Sequence, residues 1–552
     1  MTGKLVIVGG VAGGATAAAR ARRLNEDAEI VMFERGPYIS FANCGLPYHI
    51  GGVIRKRDHL LVAPEKMFSK RYRVDVRSNT EVLAIDRRNK RVKARNRLTG
   101  EEYAESYESL LLSPGADPIR PPCKGIDADN IFTLRNIPDM DRIKAYVDES
   151  APRAAVVAGG GFIGLEMAEN LVFAGIKTTV VERLEQVMAP LDPDMANYVH
   201  AHLREKGVDL VLGDGICEFS RDNGQTIVKT DGGKTIACDM VILSVGIKPE
   251  AGLAVDAGLA IGEGGAIAVD ATMRTSDPNI FATGDAVAVN DYLTGQETMT
   301  PLAGPANRQG RIAADNIMKR ASVFKGTLGT SIVKVFDLAV ASTGLNEKTA
   351  QRRGIPYKLS NTHSGSHAGY YPGAENISIK LLFAPGTGMV LGAQAIGKDG
   401  VDKRIDVIAT AIYSKMTVFD LQHLELAYAP PYGSAKDPVN IAGYVAGNIM
   451  LNDMEIIRAD EVDALDPDTH ALLDVRSNRE LKLEGFVQGA LHIPIDDLRE
   501  RLNELDREKC YITYCAVGYR SYLAYRILSH AGFSAKNISG GYVTYMATTG
   551  KL

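Results

Sequence analysis

The chain has 552 residues, too many for one hydrophobic core, and a guide of about 150 residues per domain predicts three or four domains. Hydrophobic residues make up 45% and charged residues 24%, and the net charge of -4 gives no reason to expect a nucleic acid partner. The first residues enter a strand-like run without a basic leader, and no later run is apolar enough to span a bilayer. We therefore expect a cytoplasmic protein that has no membrane partner.

The cysteines are scattered and form no Cys-x-x-Cys pair, which fits neither a disulfide framework nor a zinc site. No metal site is predicted, and any sulfur chemistry must come from individual thiols. The six are Cys44, Cys123, Cys217, Cys238, Cys510 and Cys515.

Strand-like and helix-like runs alternate through the first 320 residues or so, as in KLVIVG, AAARARRL and EIVMFE, which predicts α/β doubly wound parallel sheets. Two passages share one layout: a strand, a glycine-rich turn, a helix and a second strand that ends in glutamate. Residues 322–452 change to an α+β texture, and a new α/β pattern occupies residues 456–552. Four domains are therefore expected.

The first glycine-rich turn lies between a strand and a helix, and Glu34 closes the next strand. Glycines let the backbone approach a pyrophosphate at the helix N-terminus, and the acid accepts a hydrogen bond from a ribose hydroxyl. Val11 stands where the usual middle glycine would be, so a plain strand-to-helix turn stays open as the alternative. The predicted contacts in the turn are Gly9, Gly10, Ala12, Gly13 and Gly14.

The second turn is a full G-x-G-x-x-G, with glycines at 159, 161 and 164, and Glu182 ends the following strand. A carboxylate there favours NADH because it would repel the 2'-phosphate of NADPH. Arg183, next to it, leaves NADPH open. The predicted contacts are Gly159, Gly161, Gly164 and Glu182.

The segment TSDPNIFATGDA ends in Gly284-Asp285, and with it the chain resembles the FAD and NAD(P)H disulfide reductase superfamily, in which this aspartate binds the ribityl chain of FAD. The resemblance adds Arg35, Gly115 and Asp285 to the predicted FAD contacts. It also implies a glutathione reductase-like architecture, with two Rossmann-like domains and a dimerisation domain. The predicted boundaries are 1–151 and 246–321 for FAD, 152–245 for NAD(P)H and 322–452 for dimerisation.

Cys44 precedes a Gly and a Pro, which predicts an irregular turn that opens a helix, where amide dipoles lower a thiol pKa. A buried, inert cysteine is the alternative. Reductases with an internal dithiol carry a second cysteine five residues on, but that position here is His49. The segment Ser-Phe-Ala-Asn-Cys44 resembles the single-cysteine branch, which comprises coenzyme A disulfide reductases, NADH oxidases and NADH peroxidases.

Thr16, Arg20 and Arg23 recur at helical spacing, which predicts one basic helix face that could bind the phosphates of coenzyme A. A solvated surface is the alternative. In coenzyme A disulfide reductases the matching positions contact coenzyme A, and this resemblance favours the first interpretation. It extends to Ser40, Asn43, Lys436, Asn307 and, more weakly, Arg71.

Two tyrosine segments, GYYPGA and AYAPPY, resemble those of the same family's dimerisation domain. The resemblance implies a homodimer in which Tyr371 and Tyr428 reach the partner subunit's Cys44 site, where a phenol could stabilise or protonate a leaving thiolate. Buried tyrosines are more commonly packing residues, and that alternative stays open.

Near the C-terminus, Cys515-Ala-Val-Gly-Tyr-Arg520 follows a strand and precedes a helix, so its amides can form an anion cradle that lowers the thiol pKa. With LLDVRS, GALHIP and GGY around it, the segment resembles the rhodanese family. The resemblance implies that Cys515 accepts sulfur, with Arg520 supplying positive charge. A rhodanese domain is therefore predicted over residues 456–552.

Together these features predict an FAD- and NAD(P)H-dependent reductase, with NADH favoured. Its predicted substrates are coenzyme A persulfide, polysulfide or coenzyme A disulfide, and coenzyme A is the substrate or a bound thiol. The predicted products are coenzyme A and hydrogen sulfide. An NADH oxidase or peroxidase that cycles a Cys44 sulfenate, a sulfurtransferase, and a non-enzymatic sensor are the alternatives.

Overall fold

The computed structural model describes residues 3–552, and they form two compact units. One unit runs through Glu185 and resumes over Gly207–Gly329, and the other comprises Gln186–Lys206 and Thr330–Leu552. Among residues 3–552, no helix has both the length and the apolar run that a bilayer crossing needs.

The first unit begins with a five-stranded, all-parallel sheet. Its central strands LVIV and IVMF are buried at every residue, as expected for strands that are covered on both faces. In sheet order the strands are Ile280–Ala282, Ser109–Leu112, Leu5–Val8, Ile30–Phe33 and Asp75–Arg77. The helices of this part are Ala12–Leu24, Leu46–Ile50, Glu65–Tyr72, Gly252–Asp256 and Ala303–Ile317.

Small elements border this sheet: an antiparallel sheet, a mixed sheet and an antiparallel pair of strands. One three-stranded sheet is Thr80–Asp86, Arg91–Asn96 and Glu102–Ser106, and another is Ile267–Ala268, Val287–Asn290 and Glu297–Thr298. The pair Ala116–Pro118 and Ile247–Pro249 marks the two places where the chain passes between the first parallel sheet and the second.

The second parallel sheet of this unit has the same kind of buried centre, AAVVA. Its order is Asp209–Val211, Lys177–Val181, Ala154–Ala158, Met240–Leu243 and Ile131–Thr133, with helices Ile137–Ser150 and Phe162–Phe173. A three-stranded meander joins it, formed by Ile216–Asp222, Gln225–Thr230 and Thr235–Cys238. The two parallel sheets confirm the predicted pair of Rossmann-like domains.

The second unit contains a five-stranded antiparallel sheet and a five-stranded parallel one. The antiparallel order is Ser331–Val335, Leu338–Gly344, Val390–Gly397, Asn376–Phe383 and Lys358–Gly365, with helices Pro193–Glu205, Glu347–Arg352, Val401–Tyr413, Val418–His423 and Pro438–Met450. The parallel order is Ile456–Ile457, Ala535–Ile538, Cys510–Tyr514, His470–Asp474 and Leu491–His492, with helices Asn478–Glu484, Tyr519–His530 and Gly541–Thr548. The predicted α+β and C-terminal α/β domains are confirmed as fold classes.

Helix Pro193–Glu205, which the sequence assigns to the NAD(P)H domain, packs in this second unit against helix Gly541–Thr548. Asn197 donates to the Ala547 carbonyl at 2.8 Å. His363 lies between Ser378 and Thr544, with 2.8 Å from a ring nitrogen to each hydroxyl. Burial lowers the pKa of His363 to about 4, so the ring is neutral at physiological pH and bridges two hydroxyls without a charge.

A buried ammonium group lies at the centre of the second unit. The Nζ of Lys380 is 2.5 Å from Glu347, 2.8 Å from Asp194 and 3.3 Å from Asp192. Three carboxylates this close together could hold a metal ion, but the ammonium group lies among them. Arg458 adds a second cation on Glu347. The pKa of Lys380 is raised despite burial, because the three carboxylates favour the charged form.

We expect Lys380→Met to destabilise the second unit by about 3–5 kcal/mol, because it leaves buried carboxylates without their counter-charge. Calorimetry should show a lower Tm for this variant at pH 7. Lowering the pH should reduce the Tm difference between this variant and the wild-type chain, since protonated carboxyl groups no longer need an ammonium partner.

The matched control is Lys398→Met, which removes an exposed ammonium group that pairs with Asp337 at 3.3 Å. If Lys380→Met lowers the Tm by no more than Lys398→Met does, the central role of Lys380 is contradicted.

Candidate functional site

The two glycine-rich turns of the first unit have the same backbone conformation. Gly9 has φ +98° and Gly159 has φ +101°, values that a side chain rarely allows. A Cβ on Gly14 or Gly164 would lie 1.9 Å from the carbonyl oxygen of Gly9 or Gly159, respectively. Glycine is therefore required at the same two positions of each turn, to let the helix approach the strand.

Val11 and Gly161 occupy the matching N-cap positions, before helices Ala12–Leu24 and Phe162–Phe173. Val11 has a negative φ of -100°, so this position does not call for the left-handed backbone that favours glycine. No described atom lies within 4 Å of where a Cβ on Gly161 would be, which leaves open space beside the first amides of the helix. A pyrophosphate fits such a space.

The carboxylates of Glu34 and Glu182 repeat one hydrogen-bond pattern. Glu34 accepts from the amides of Gly10 at 2.9 Å and Gly36 at 2.8 Å. Glu182 accepts from those of Gly160 at 2.7 Å and Leu184 at 2.8 Å. Each oxygen keeps further acceptor capacity for a ribose hydroxyl.

The polar groups around Asp285 fit the polyol part of FAD. The Thr283 hydroxyl is buried and has no hydrogen-bond partner among residues 3–552, and a Cβ on Gly13 would lie 2.8 Å from it. Burial raises the pKa of Asp285, and the nearby Arg135 guanidinium opposes this rise. An unpaired hydroxyl and a desolvated carboxyl both gain from the hydroxyl groups of a ligand.

Two other predicted FAD contacts have local explanations. Gly115 has φ +80° in the turn after strand Ser109–Leu112. Arg35 forms an ion pair with Glu250 at 2.9 Å and lies 3.8 Å from Asp117. Glycine at 115 is thus explained by the positive φ of the turn, and the charge of Arg35 is already balanced by carboxylates of the protein.

Cys44 lies in a 3-10 turn, Asn43–Gly45, that leads into helix Leu46–Ile50 with Pro47 in its first turn. This is the local structure expected from the sequence, but the expected lowering of the thiol pKa is wrong for this chain. Partial desolvation raises the pKa of Cys44, and the carboxyl groups of Glu166 and Asp285 raise it further. A backbone hydrogen bond lowers it, but not enough to reverse these effects.

Sequence reasoning missed Glu166 and Tyr48, which lie close to Cys44. Tyr48 donates from its hydroxyl to Glu166 Oε1 at 3.2 Å. Burial raises the pKa of Glu166 to about 7. The available signal was the presence of two acidic residues, Glu166 and Glu169, in the mostly apolar helix FIGLEMAENLVF.

The predicted basic face on helix Ala12–Leu24 needs correction. Arg20 is 9% exposed, and its Nε donates to Asp315 at 2.7 Å, so this charge is balanced. Arg23 is exposed at the end of the helix. Thr16 donates to Asn307, which brings together two of the predicted coenzyme A contacts. Within residues 3–552, this face therefore offers one cation without an ion-pair partner, Arg23, and a polar pair.

The remaining predicted coenzyme A contacts are less closely linked. Ser40 adopts a left-handed conformation with φ +45°, and the Asn43 amide group donates to the Arg135 carbonyl at 3.4 Å. Arg71 and Lys436 are exposed side chains on the two separate units. None of them is required by packing.

The two tyrosine segments contact each other within the second unit. The Tyr428 hydroxyl is 2.9 Å from that of Tyr370, and Tyr371 instead packs edge-on against His367, with 5.7 Å between ring centroids. Tyr428 and Tyr371 are 49% and 43% exposed, so both phenols are open to a further contact.

Cys515 follows strand Cys510–Tyr514 and is almost fully buried. Its Sγ accepts from the Gly518 amide at 3.2 Å and from the Ser521 hydroxyl at 3.6 Å. Gly518 has φ +95°, which turns its N–H towards the sulfur. The sequence predicts amide donors in this loop, but it did not reveal the Ser521 hydroxyl. Two donors converge on this sulfur, an arrangement that stabilises a thiolate or a terminal persulfide.

Arg520 is already paired with a carboxylate. Its two terminal nitrogens donate to the carboxylate of Glu480, and this pairing lowers the pKa of Glu480 to about 2. Glu480 also accepts from Ser477, the N-cap of helix Asn478–Glu484. The positive charge predicted for the Cys515 loop is therefore shared with Glu480, which sequence reasoning missed.

We expect Glu166→Gln to lower the pKa of Cys44 and to accelerate its alkylation severalfold at pH 8. Above pH 7 the native carboxyl group is ionised and opposes the thiolate, and the amide carries no such charge. The measurement is the iodoacetamide rate against pH for the Cys44 peptide, followed by mass spectrometry.

The control is Glu149→Gln, which neutralises an exposed carboxylate at the end of helix Ile137–Ser150. Identical profiles for the wild-type chain and Glu166→Gln would refute the electrostatic link.

Three family models match successive parts of the chain. Pyridine nucleotide-disulphide oxidoreductase matches residues 3–310, the dimerisation domain of the same family matches residues 330–437, and the rhodanese-like domain matches residues 458–548.

Individual relatives agree with this order. The coenzyme A disulfide reductase of Staphylococcus haemolyticus is 37% identical over 447 residues, which are 81% of this chain and 100% of that protein. The crystal structure of reduced Bacillus anthracis CoADR-RHD has a TM-score of 0.97 and 51% identity, and covers 99% of this chain and 98% of its own. The NAD-dependent persulfide reductase from A. fulgidus has a TM-score of 0.92 and 41% identity, and covers 98% of this chain and 100% of its own. The chain therefore belongs to the pyridine nucleotide-disulphide oxidoreductase family and carries that family's dimerisation domain and a C-terminal rhodanese-like domain.

Proposed function

We propose that this oxidoreductase uses NADH to reduce coenzyme A persulfide, polysulfide and coenzyme A disulfide at the thiol of Cys44. The observation that carries the proposal is the exposed Cys44 thiol, which is free and lies beside the proton-bearing pair Tyr48 and Glu166. Relatives named coenzyme A disulfide reductase and NAD-dependent persulfide reductase support the substrate class.

The sulfur step begins with attack of the Cys44 thiolate on the inner sulfur of coenzyme A persulfide. The Cys44–S–S–CoA bond forms as the persulfide S–S bond breaks, and hydrosulfide leaves. The chemistry that FAD supplies when bound is the passage of two electrons from NADH to the mixed disulfide, which frees coenzyme A and returns Cys44 to its thiolate.

Proton transfer in this scheme is assigned to Glu166. With a pKa raised to about 7, its carboxyl group is about half protonated at neutral pH, so it can supply a proton to the leaving sulfur and take one back. Tyr48 orients this group through its hydroxyl.

Cofactor binding is assigned to the two glycine turns, with Glu34 and Asp285 for FAD and Glu182 for NADH. The assignment is supported by the free acceptor capacity of both glutamates and by the unpaired Thr283 hydroxyl. Glu182 would also repel the 2'-phosphate of NADPH, which favours NADH.

Coenzyme A recognition is assigned to Arg23, with Thr16 and Asn307 beside it and Lys436 as a further cation. Arg23 supports this because it is exposed and in the last turn of its helix, so its guanidinium can bind a phosphate in a forked geometry. A homodimer completes the site, with Tyr428 and Tyr371 contributed by the partner.

Cys515 is assigned the transfer of sulfane sulfur to coenzyme A. Its thiolate attacks the terminal sulfur of a donor persulfide, which breaks the donor S–S bond and releases the donor thiol. The coenzyme A thiolate then takes this sulfur and frees the Cys515 thiolate, and the long pantetheine arm carries the sulfur to Cys44. The donors on the Cys515 sulfur support this role and favour sulfurtransferase as a second activity.

We expect Cys44→Ser to abolish anaerobic NADH oxidation with coenzyme A persulfide, by a factor on the order of 10³ or more, because the attacking nucleophile is lost. Cys515→Ser should leave that reaction intact and slow turnover only with inorganic polysulfide. Release of hydrosulfide is measured in parallel, with coenzyme A disulfide and hydrogen peroxide as competing substrates.

Cys510→Ser is the matched control, since Cys510 is a partly buried thiol on the strand that leads to Cys515. A preference for peroxide would place the enzyme among the oxidases and peroxidases. Turnover that depends on Cys515 and not on Cys44 would leave only the sulfurtransferase alternative.

We expect Arg23→Ala to raise the KM for coenzyme A persulfide roughly fivefold with little change in kcat, because an exposed charge pair contributes about 1 kcal/mol. With no coenzyme A in the assay, the KM for inorganic polysulfide should not change, since that substrate has no phosphate. Arg88→Ala, at another exposed arginine, is the control. Equal KM changes for both substrates would refute the phosphate contact.

A further inference from the structure

Two cysteines that the proposed reaction does not use lie side by side in the first unit. The segment around Cys123 runs beside strand Ile216–Asp222, which contains Cys217. Lys124 and Glu218, the next residues on, form a parallel β-bridge. The Phe219 amide donates to the Lys124 carbonyl at 2.8 Å, and the Lys124 ammonium is 2.6 Å from the Glu218 carboxylate.

This bridge sets the positions of the two cysteines. In a parallel pair, facing residues direct their side chains to the same side, and the preceding residues face the opposite side together. Cys123 and Cys217 are the residues that precede this bridge. A β-bulge at Cys217 interrupts the pairing of its strand with Gln225–Thr230, but the two thiols lie close enough for Cys217 to raise the pKa of Cys123. Neighbouring strands lie about 4.8 Å apart, within the range of roughly 4.4–6.8 Å that a disulfide requires between Cα atoms.

The close approach of the two segments is specified by the sequence around Cys123. Gly125 has φ +78°, and a Cβ there would lie 2.1 Å from the Phe219 carbonyl oxygen. Pro121 and Pro122 precede Cys123 and restrict the backbone that presents it. Only glycine at 125 lets the two backbones meet, so the proximity of the thiols does not depend on mobile side chains.

Both thiols are free and partly buried. Cys123 Sγ donates to the Ile216 carbonyl at 3.4 Å, and Cys217 Sγ donates to the Lys229 carbonyl at 3.3 Å. Burial raises the pKa of Cys123, and the nearby Cys217 raises it further. A rotation about each Cα–Cβ bond exchanges these weak hydrogen bonds for contact between the sulfurs.

We propose that Cys123 and Cys217 are a reversible disulfide site, which a low-molecular-weight disulfide oxidises in the folded protein. One thiolate attacks the reagent R–S–S–R, forms a Cys–S–S–R bond and releases the first RS⁻. The second cysteine thiolate attacks the protein sulfur of that mixed disulfide, which forms the Cys123–Cys217 bond and releases the second RS⁻. Two protein thiols are oxidised, and one reagent disulfide is reduced to two thiols.

The bond would close a loop that contains the second glycine turn and helix Phe162–Phe173. It would lie shortly after strand Ala116–Pro118, where the chain passes from the first parallel sheet towards the second. A cross-link that spans a long loop restricts the unfolded chain strongly, so oxidation should stabilise this unit. The alternative is that Cys123 serves only as a small apolar packing residue, because it also packs against the core around Val228.

The test uses the full-length chain with Cys44→Ser and Cys515→Ser, so its outcome is independent of the proposed function. The protein is incubated anaerobically with excess glutathione disulfide, alkylated in denaturant and digested for mass spectrometry. We expect loss of two alkylated thiols, a Cys123 peptide linked to a Cys217 peptide, reversal by dithiothreitol, and a higher Tm for the oxidised form.

Adding Cys123→Ser should remove the link and leave Cys217 as a mixed disulfide with glutathione. Adding Cys510→Ser, the matched control, should leave the link unchanged. The proposal fails if folded protein in excess glutathione disulfide yields both peptides alkylated and unlinked, or if the link joins two chains. The linked peptide is sought in protein that keeps both Cys123 and Cys217. A substitution that unfolds the chain at either position therefore cannot affect this measurement.

Discussion

One buried ammonium group, that of Lys380, underlies the organisation of the second unit. Its three carboxylate partners come from different parts of the chain: Asp192 and Asp194 from the start of helix Pro193–Glu205, and Glu347 from a helix of the antiparallel region. None of these charges could stay buried alone, because the desolvation cost of each is several kcal/mol. The segments must therefore come together for any of them to be buried, and this makes their arrangement interdependent.

The same cluster extends into the rhodanese-like domain. Arg458, at the start of that domain, binds Glu347. Helix Pro193–Glu205 in turn packs against helix Gly541–Thr548, whose first residues hold the sulfur loop: the Tyr542 amide donates to the Cys515 carbonyl at 2.8 Å. A Cβ on Gly541 would lie 2.4 Å from that carbonyl oxygen. The loop around Cys515 is thus held by helix Gly541–Thr548 of its own domain, and that helix in turn packs against helix Pro193–Glu205, which carries Asp194 of the Lys380 cluster.

The parts that the sequence predicts well are those whose cause is local. The glycines at 9 and 159 follow from one turn geometry, and the loop of Cys515 follows from a strand, a six-residue segment and a helix. The basic face of Arg20 failed because its partner Asp315 is 295 residues away, and no local pattern reveals such a neighbour. Glu166 was missed for the same reason, since its effect arises from burial and from Tyr48 in a distant segment.

The two sulfur sites differ in how far the protein itself can stabilise a charged sulfur. Cys515 is buried, and an amide and a hydroxyl donate to its sulfur, so the protein itself can stabilise a charged sulfur there. Cys44 is exposed, but partial desolvation raises its pKa and nearby carboxyl groups raise it further, so the chain alone disfavours its thiolate. Protonation of Glu166 would remove one of these opposing charges, and an electron-accepting group or a cationic contact close to the sulfur would offset the rest. The reactivity of Cys44 is therefore expected to depend on what is bound beside it, whereas that of Cys515 is built into its loop.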